Sequence, residues 1–148
     1  MAELLKTLYD HTWDREGWEA PLAHALKGLT AKEAAWRPAG GANTIWQTLN
    51  HLNHYDERTL AELTGGTPPP QAADNDATFS APGDPADEAG WQQAVQRRNR
   101  IGQGLAAAIA ALPEAKAGEL AAWVLHAAYH TGQIVQVRKE QGSWPAHR

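Results

Sequence analysis

The sequence predicts an all-α protein, a four-helix bundle in which a long crossover loop joins the second and third helices. Apolar residues recur at helical intervals in four separate segments. A stretch rich in proline, glycine, aspartate and alanine separates the second segment from the third, and no strand-like alternation of useful length occurs. Four helices with one long connection are typical of a bundle, and the length fits a single domain, residues 1–148.

The first two predicted helices precede the crossover loop. The first covers about residues 3–29, and Gly17 and Pro21 lie inside it, where the helix can kink or break. The second begins after Asn43 or Thr44, either of which can serve as its N-cap. It ends near residue 63, before two consecutive glycines.

The crossover loop covers about residues 64–85 and is too long for a tight connection between adjacent antiparallel helices. A crossover that runs the length of the bundle explains it better. The third predicted helix begins at Asp84 or Pro85 and ends at residue 112, where Pro113 stops it. The fourth covers about residues 117–141 and ends at Gly142.

The composition excludes several classes of protein. The chain has no cysteine, which excludes disulfides, thiolate metal sites and cysteine nucleophiles. The formal net charge is −4, and the basic cluster Arg97-Arg98-Asn99-Arg100 is expected to form a solvated helix face, so nucleic acid is not an expected partner. The N-terminal residues contain no long apolar run. We therefore expect neither a signal peptide nor a membrane span, and a cytoplasmic location.

Tryptophan is unusually frequent among the large apolar residues. Seven tryptophans occur against one phenylalanine, and we expect them to supply much of the core volume and in part to line a pocket. They are Trp13, Trp18, Trp36, Trp46, Trp91, Trp123 and Trp144.

Two histidines lie four residues apart in the fourth predicted helix. Residues at this spacing lie one above the other on the same helix face, so the imidazoles of His126 and His130 can point at one spot. Imidazole is the commonest metal ligand near neutral pH, and the pair therefore indicates a metal site. Because the chain has seven histidines, the spacing also arises by chance, and a solvated or packed pair is the alternative.

A third histidine, His51, lies on the second predicted helix. It borders the apolar stripe of that helix and can face a polar groove between helices. If the two helices oppose each other, His51, His126 and His130 supply three neutral nitrogens and leave coordination positions open, as in catalytic metal sites. A groove histidine hydrogen-bonded to Tyr55 or to a backbone carbonyl is the alternative.

Two motifs and a connector resemble the DinB/YfiT superfamily of small four-helix metalloproteins. The first motif is Thr44-Ile-Trp-Gln-Thr-Leu-Asn-His51-Leu on the second helix, and the other is His126-Ala-Ala-Tyr-His130-Thr-Gly-Gln133-Ile-Val on the last. The connector is Trp36-Arg37-Pro38-Ala-Gly-Gly, before the second helix. The resemblance spans essentially the whole chain, and the last-helix motif is the more specific one.

The resemblance implies that His51, His126 and His130 bind one divalent metal ion, commonly zinc, nickel or iron. It also implies the bundle with its long connection, and a homodimer. His54 is a further histidine near the site, and register with Thr44 favours His51 as the third ligand.

Activities differ among members of this superfamily. Some are thiol-dependent transferases or isomerases that use a low-molecular-weight bacterial thiol, and others have been proposed as metal-dependent hydrolases. An ion held by three histidines can lower the pKa of bound water or of a thiol, so we expect a metal-dependent enzyme with a small-molecule substrate. The alternative is a non-catalytic stress-response protein or sensor that binds a metal or small ligand.

Further site residues are suggested by their positions beside the histidines. Gln133 and Tyr55 are expected to position substrate or a metal-bound ligand, and ordinary interhelical hydrogen bonding is the alternative. A hydrolase would also need a general base, for which Asp56 and Glu57 are candidates. Helical stepping turns both carboxylates away from His51, so no catalytic residue is assigned.

Overall fold

Seven α-helices and no strand occur in residues 1–145, the part of the chain that this computed structural model describes. The four long helices are α1 (Ala2–Trp13), α4 (Ile45–Thr64), α5 (Glu88–Ala110) and α7 (Ala121–Glu140). They pack in a ring in which α4 contacts α5, α5 contacts α1, α1 contacts α7 and α7 contacts α4. The predicted all-α four-helix bundle is therefore confirmed, and the crossover joins α4 to α5. None of these helices is long and apolar enough to cross a membrane. The three short helices are α2 (Leu22–Leu26), α3 (Ala31–Ala34) and α6 (Glu114–Ala117).

The first predicted helix, residues 3–29, is broken in the structure, because α1 ends at Trp13 and α2 follows only after a turn. Gly17 lies in this turn, so close to the His11 ring that an added Cβ atom would come within 2.7 Å of Nδ1. Pro21 then takes the N-cap position of α2 with an extended backbone, φ −69° and ψ 159°. Gly17 and Pro21, the two residues at which the sequence allowed a break, therefore both lie between α1 and α2.

Helix α4, which carries part of the site, is capped at both ends. Thr44 is the N-cap: its hydroxyl accepts a hydrogen bond from the backbone N–H of Gln47, whose side chain accepts one from the Thr44 N–H. Gly65 ends the helix in the left-handed conformation, φ 71°, which glycine adopts without strain. These contacts fix the bounds of α4 close to the prediction.

Helices α5 and α7 both begin later than predicted. Helix α5 begins at Glu88 rather than at Asp84 or Pro85, because the Asp87 side chain caps it by accepting from a backbone N–H of the first turn. Helix α7 begins at Ala121, after α6 and a short 3-10 turn that occupy the start of its predicted range.

Apolar side chains from all seven α-helices form one core. Trp13, Trp46 and Trp91 are buried in it, as predicted, and two further tryptophans pack against it. Trp18 and Trp36 are exposed, so the core prediction is wrong for these two. Trp18 instead borders an open surface groove of about 930 Å³ beside α7.

One buried ion pair connects the long helices. Asp56 of α4 accepts a hydrogen bond of 2.6 Å from Nη1 of Arg98 of α5 and one of 2.9 Å from the indole Nε1 of Trp123 of α7. The Arg98 guanidinium lies over the Trp13 ring of α1, 5.3 Å from its centroid. Arg98 is only 1% exposed, so the prediction that the basic cluster is a solvated helix face is wrong for this residue.

Replacing Asp56 with alanine should lower the free energy of unfolding by about 3–5 kcal/mol, because it leaves the buried Arg98 charge without its partner. The adjacent Glu57 pairs with Arg97 in a partly exposed position, so Glu57→Ala is a matched control that should cost less than about 1 kcal/mol. Urea unfolding followed by circular dichroism measures both variants. Equal losses of unfolding free energy in the two variants would show that the buried pair contributes no more to stability than the exposed one.

Candidate metal centre

Three histidines from two helices meet at one point. The packing of α4 against α7 brings His51 to His126 and His130, and one ring nitrogen of each lies within 4.8 Å of the others. The Nε2 atoms of His51 and His126 are 2.9 Å apart, and the ring centroids of the three pairs lie 4.6–5.0 Å apart. An ion bound by nitrogens at about 2 Å requires such convergence, so this cluster could hold a metal ion.

The cluster is buried on one side and accessible on another. His51 and His130 are 3% and 6% exposed, whereas His126 is half-buried. Tyr129 is 65% exposed, and its ring centroid lies 5.0 Å from that of His130. The cluster is therefore partly exposed to solvent at the His126 ring.

Burial lowers the pKa of all three imidazoles. At His51 the neighbouring His130 and His126 add to the effect of burial, and the pKa falls to about 3. The Asp56 carboxylate partly offsets the lowering of the pKa at His126, and the hydrogen bond to Gln133 does so at His130. The cluster is therefore neutral at neutral pH, the form in which imidazole binds a metal.

Gln133 and Tyr55 both lie beside the cluster, but they contact it in different ways. The Gln133 Oε1 atom accepts a hydrogen bond of 2.7 Å from Nδ1 of His130, which leaves Nε2 of that ring with its lone pair. The Tyr55 ring stands edge-on to His51 and His126, with centroids 5.0 Å and 5.7 Å away, while its hydroxyl donates to the crossover loop. Gln133 thus holds the His130 ring through a hydrogen bond, whereas the Tyr55 ring packs beside the cluster without bonding to it.

The remaining candidates lie outside the cluster. His54 is half-buried and packs edge-on against Tyr55, with ring centroids 5.3 Å apart. The carboxylates of Asp56 and Glu57 are held by Arg98 and Arg97. This placement agrees with the prediction that the helix directs both carboxylates away from His51.

Sequence reasoning missed two residues of the crossover loop, Thr78 and Phe79, which end a 3-10 turn. The Thr78 Oγ1 atom lies 2.5 Å from Nδ1 of His51, and the Phe79 ring is stacked on the His51 ring with centroids 4.1 Å apart and an interplanar angle of 11°. One signal was available. The only phenylalanine of the chain occurs in a loop that otherwise has small and polar residues and prolines.

A sequence model of the DinB superfamily matches residues 15–134, which is more than half of the chain and includes all three clustered histidines. The chain therefore belongs to the DinB superfamily, and the resemblance drawn from two short motifs and a connector is confirmed. Neither a curated protein nor a solved structure gives a significant match to the chain.

The metal-free protein should lose stability as the pH falls below about 6.5, the ordinary pKa of histidine. The pKa values of the three histidines are lower in the folded state, so the unfolded chain takes up protons first. For His51 this loss continues towards a pH of about 3.

Replacing His51 with glutamine removes one of these groups and should make the free energy of unfolding less steep against pH. Urea titrations in the presence of a chelator, at several pH values on both sides of neutrality, measure the two slopes. Comparing slopes rather than absolute stabilities corrects for packing lost in the variant. Parallel profiles for the variant and the wild type would contradict the expectation.

Proposed function

We propose that this member of the DinB superfamily binds one divalent metal ion through His51, His126 and His130 and is a metal-dependent enzyme acting on a small molecule. The observation that carries the proposal is the convergence of three neutral imidazoles, of which two are buried and His126 is partly exposed. Three protein ligands leave coordination positions for other groups, as in catalytic rather than closed structural sites.

The donor set favours zinc, nickel or iron. Imidazole nitrogen suits these ions, whereas magnesium and calcium prefer oxygen ligands, which the cluster does not contain. Gln133 then has a positioning role, because its bond to Nδ1 of His130 directs Nε2 towards the ion.

Transfer of a low-molecular-weight thiol to an electrophilic substrate is the reaction that we propose. A divalent ion in this site would supply Lewis acidity, which lowers the pKa of a thiol or of water. Hydrolysis would in addition need a general base, and the candidates Asp56 and Glu57 are both held by arginines. A thiol forms its anion far more readily than water does, so thiol transfer depends less on a protein base.

Aromatic side chains would contact the organic part of the substrate. Rings of Tyr55 and Phe79 border His51, and the exposed ring of Tyr129 borders His130. These walls are apolar, while the histidine nitrogens between them are polar. The combination suits a small molecule with an apolar body and one metal-binding group.

His130→Ala should abolish stoichiometric zinc binding, whereas His54→Ala should leave it largely intact, because only His130 belongs to the cluster. Equilibrium dialysis followed by elemental analysis measures the bound zinc. Equal zinc content in the wild type and the His130 variant would show that the three-histidine proposal is wrong. Loss of zinc in the His54 variant would reassign the third ligand.

The same proteins test catalysis. Metal-loaded wild type and the His54→Ala variant should turn over a panel of low-molecular-weight thiols with electrophiles, and the metal-free protein and the His130→Ala variant should not. Cleavage of esters or amides without any thiol would favour a hydrolase. Metal binding without turnover would favour the non-catalytic stress-response protein or sensor.

We also propose that the chain forms a homodimer. Two neighbouring helices expose large apolar side chains, Leu4 and Leu8 on α1 and Leu125 on α7. Exposed apolar surface of this kind is typical of a contact between subunits.

Light scattering should give twice the mass of one chain for the wild type and the mass of one chain for Leu125→Glu. The matched control is Gln103→Glu at an exposed position of α5, and this variant should remain dimeric. A wild-type protein that is monomeric at micromolar concentration would reject the dimer.

A further inference from the structure

Polar side chains on one face of helix α4 hold the crossover loop through hydrogen bonds. Four of its side chains bond to the loop in antiparallel order: Gln47 Nε2 donates to the Ser80 carbonyl at 3.2 Å, Asn50 Nδ2 to the Phe79 carbonyl at 3.4 Å, the Tyr55 hydroxyl to Oδ1 of Asn75 at 3.1 Å, and Nη1 of Arg58 to the Pro69 carbonyl. These residues recur at helical spacing on the side of α4 that carries His51. The loop is therefore held against the histidine cluster.

The crossover loop places the hydroxyl oxygen of Thr78 beside His51, where it accepts a hydrogen bond. Thr78 is 4% exposed, and its Oγ1 lies 2.5 Å from the Asn75 carbonyl oxygen and 2.5 Å from Nδ1 of His51. A carbonyl can only accept, so the single hydroxyl proton goes to Asn75. The Thr78 oxygen must then accept from Nδ1–H of His51, which leaves Nε2 with its lone pair directed at His126.

We propose that Thr78 is a positioning residue of the candidate metal centre, which sets the tautomer of His51 while Phe79 fixes the plane of its ring. The two buried histidines then have equivalent support at Nδ1, His130 from Gln133 and His51 from Thr78. The effect on metal affinity rests on the proposed function, whereas the effect on the tautomer does not.

Thr78→Val tests the proposal because it replaces the hydroxyl with a methyl group of nearly the same size. Thr48→Val is the matched control: Thr48 is also 4% exposed and lies on α4, but its hydroxyl bonds only to the Thr44 carbonyl within the helix. Thr78→Ser keeps the hydroxyl and should rescue the wild-type behaviour. Urea unfolding of each variant identifies any loss that comes from stability alone.

Two measurements are made on each protein. Long-range ¹H–¹⁵N correlation spectra of the metal-free protein should show His51 protonated at Nδ1 in the wild type, Thr78→Ser and Thr48→Val, and a mixture of tautomers in Thr78→Val. Zinc dissociation constants, from competition with a chelator, should rise by about 10–100-fold in Thr78→Val alone.

The outcomes separate this proposal from the proposed function. If Thr78→Val matches Thr48→Val in both tautomer and zinc affinity, the positioning role is overturned while metal binding stands. Weaker zinc binding with an unchanged tautomer also overturns it. If the tautomer depends on Thr78 but the wild type binds no divalent ion, the positioning role stands and the metal function is rejected.

Discussion

The buried contact between Asp56, Arg98 and Trp123 is the interaction on which the bundle depends, because it joins α4, α5 and α7 at one place. The Arg98 guanidinium also lies over an indole of α1, so all four long helices meet there. If one helix slid along another, the pair would separate and leave a buried charge without its partner. This costs several kcal/mol, so the pair fixes the relative positions of the helices. Asp56 lies five residues after His51 and Trp123 three before His126, so this contact also sets the register in which the histidines meet.

The same contact keeps anionic charge out of the histidine cluster. Both carboxylate oxygens of Asp56 accept hydrogen bonds from these donors. The negative charge of Asp56 raises the pKa of His126, but by less than burial lowers it. The cluster therefore consists of neutral donors. A divalent ion bound by neutral donors keeps its full charge, which would make it a stronger Lewis acid than one with a carboxylate ligand.

Features that depend on a single helix could be predicted from the sequence, and those that depend on contacts between elements could not. The N-cap at Asn43 or Thr44 and the pair His126 and His130 follow from patterns within one helix. Arg98 is the opposite case. Arginine is ordinarily exposed, and its burial depends on a carboxylate from another helix that the sequence does not reveal as its neighbour. The first predicted helix is broken at the glycine and proline where the sequence allowed a break, although the apolar periodicity continues through them.

The two buried histidines of the site show the same distinction. His130 is supported by Gln133, three residues further along the same helix, so the ligand and its support form one local pattern. His51 is supported from 27 residues away by a loop that side chains of α4 hold in place. Loop length predicted a crossover, but the contacts that bring Thr78 to His51 form only in the folded chain. The crossover is therefore part of the site as well as a connection between helices.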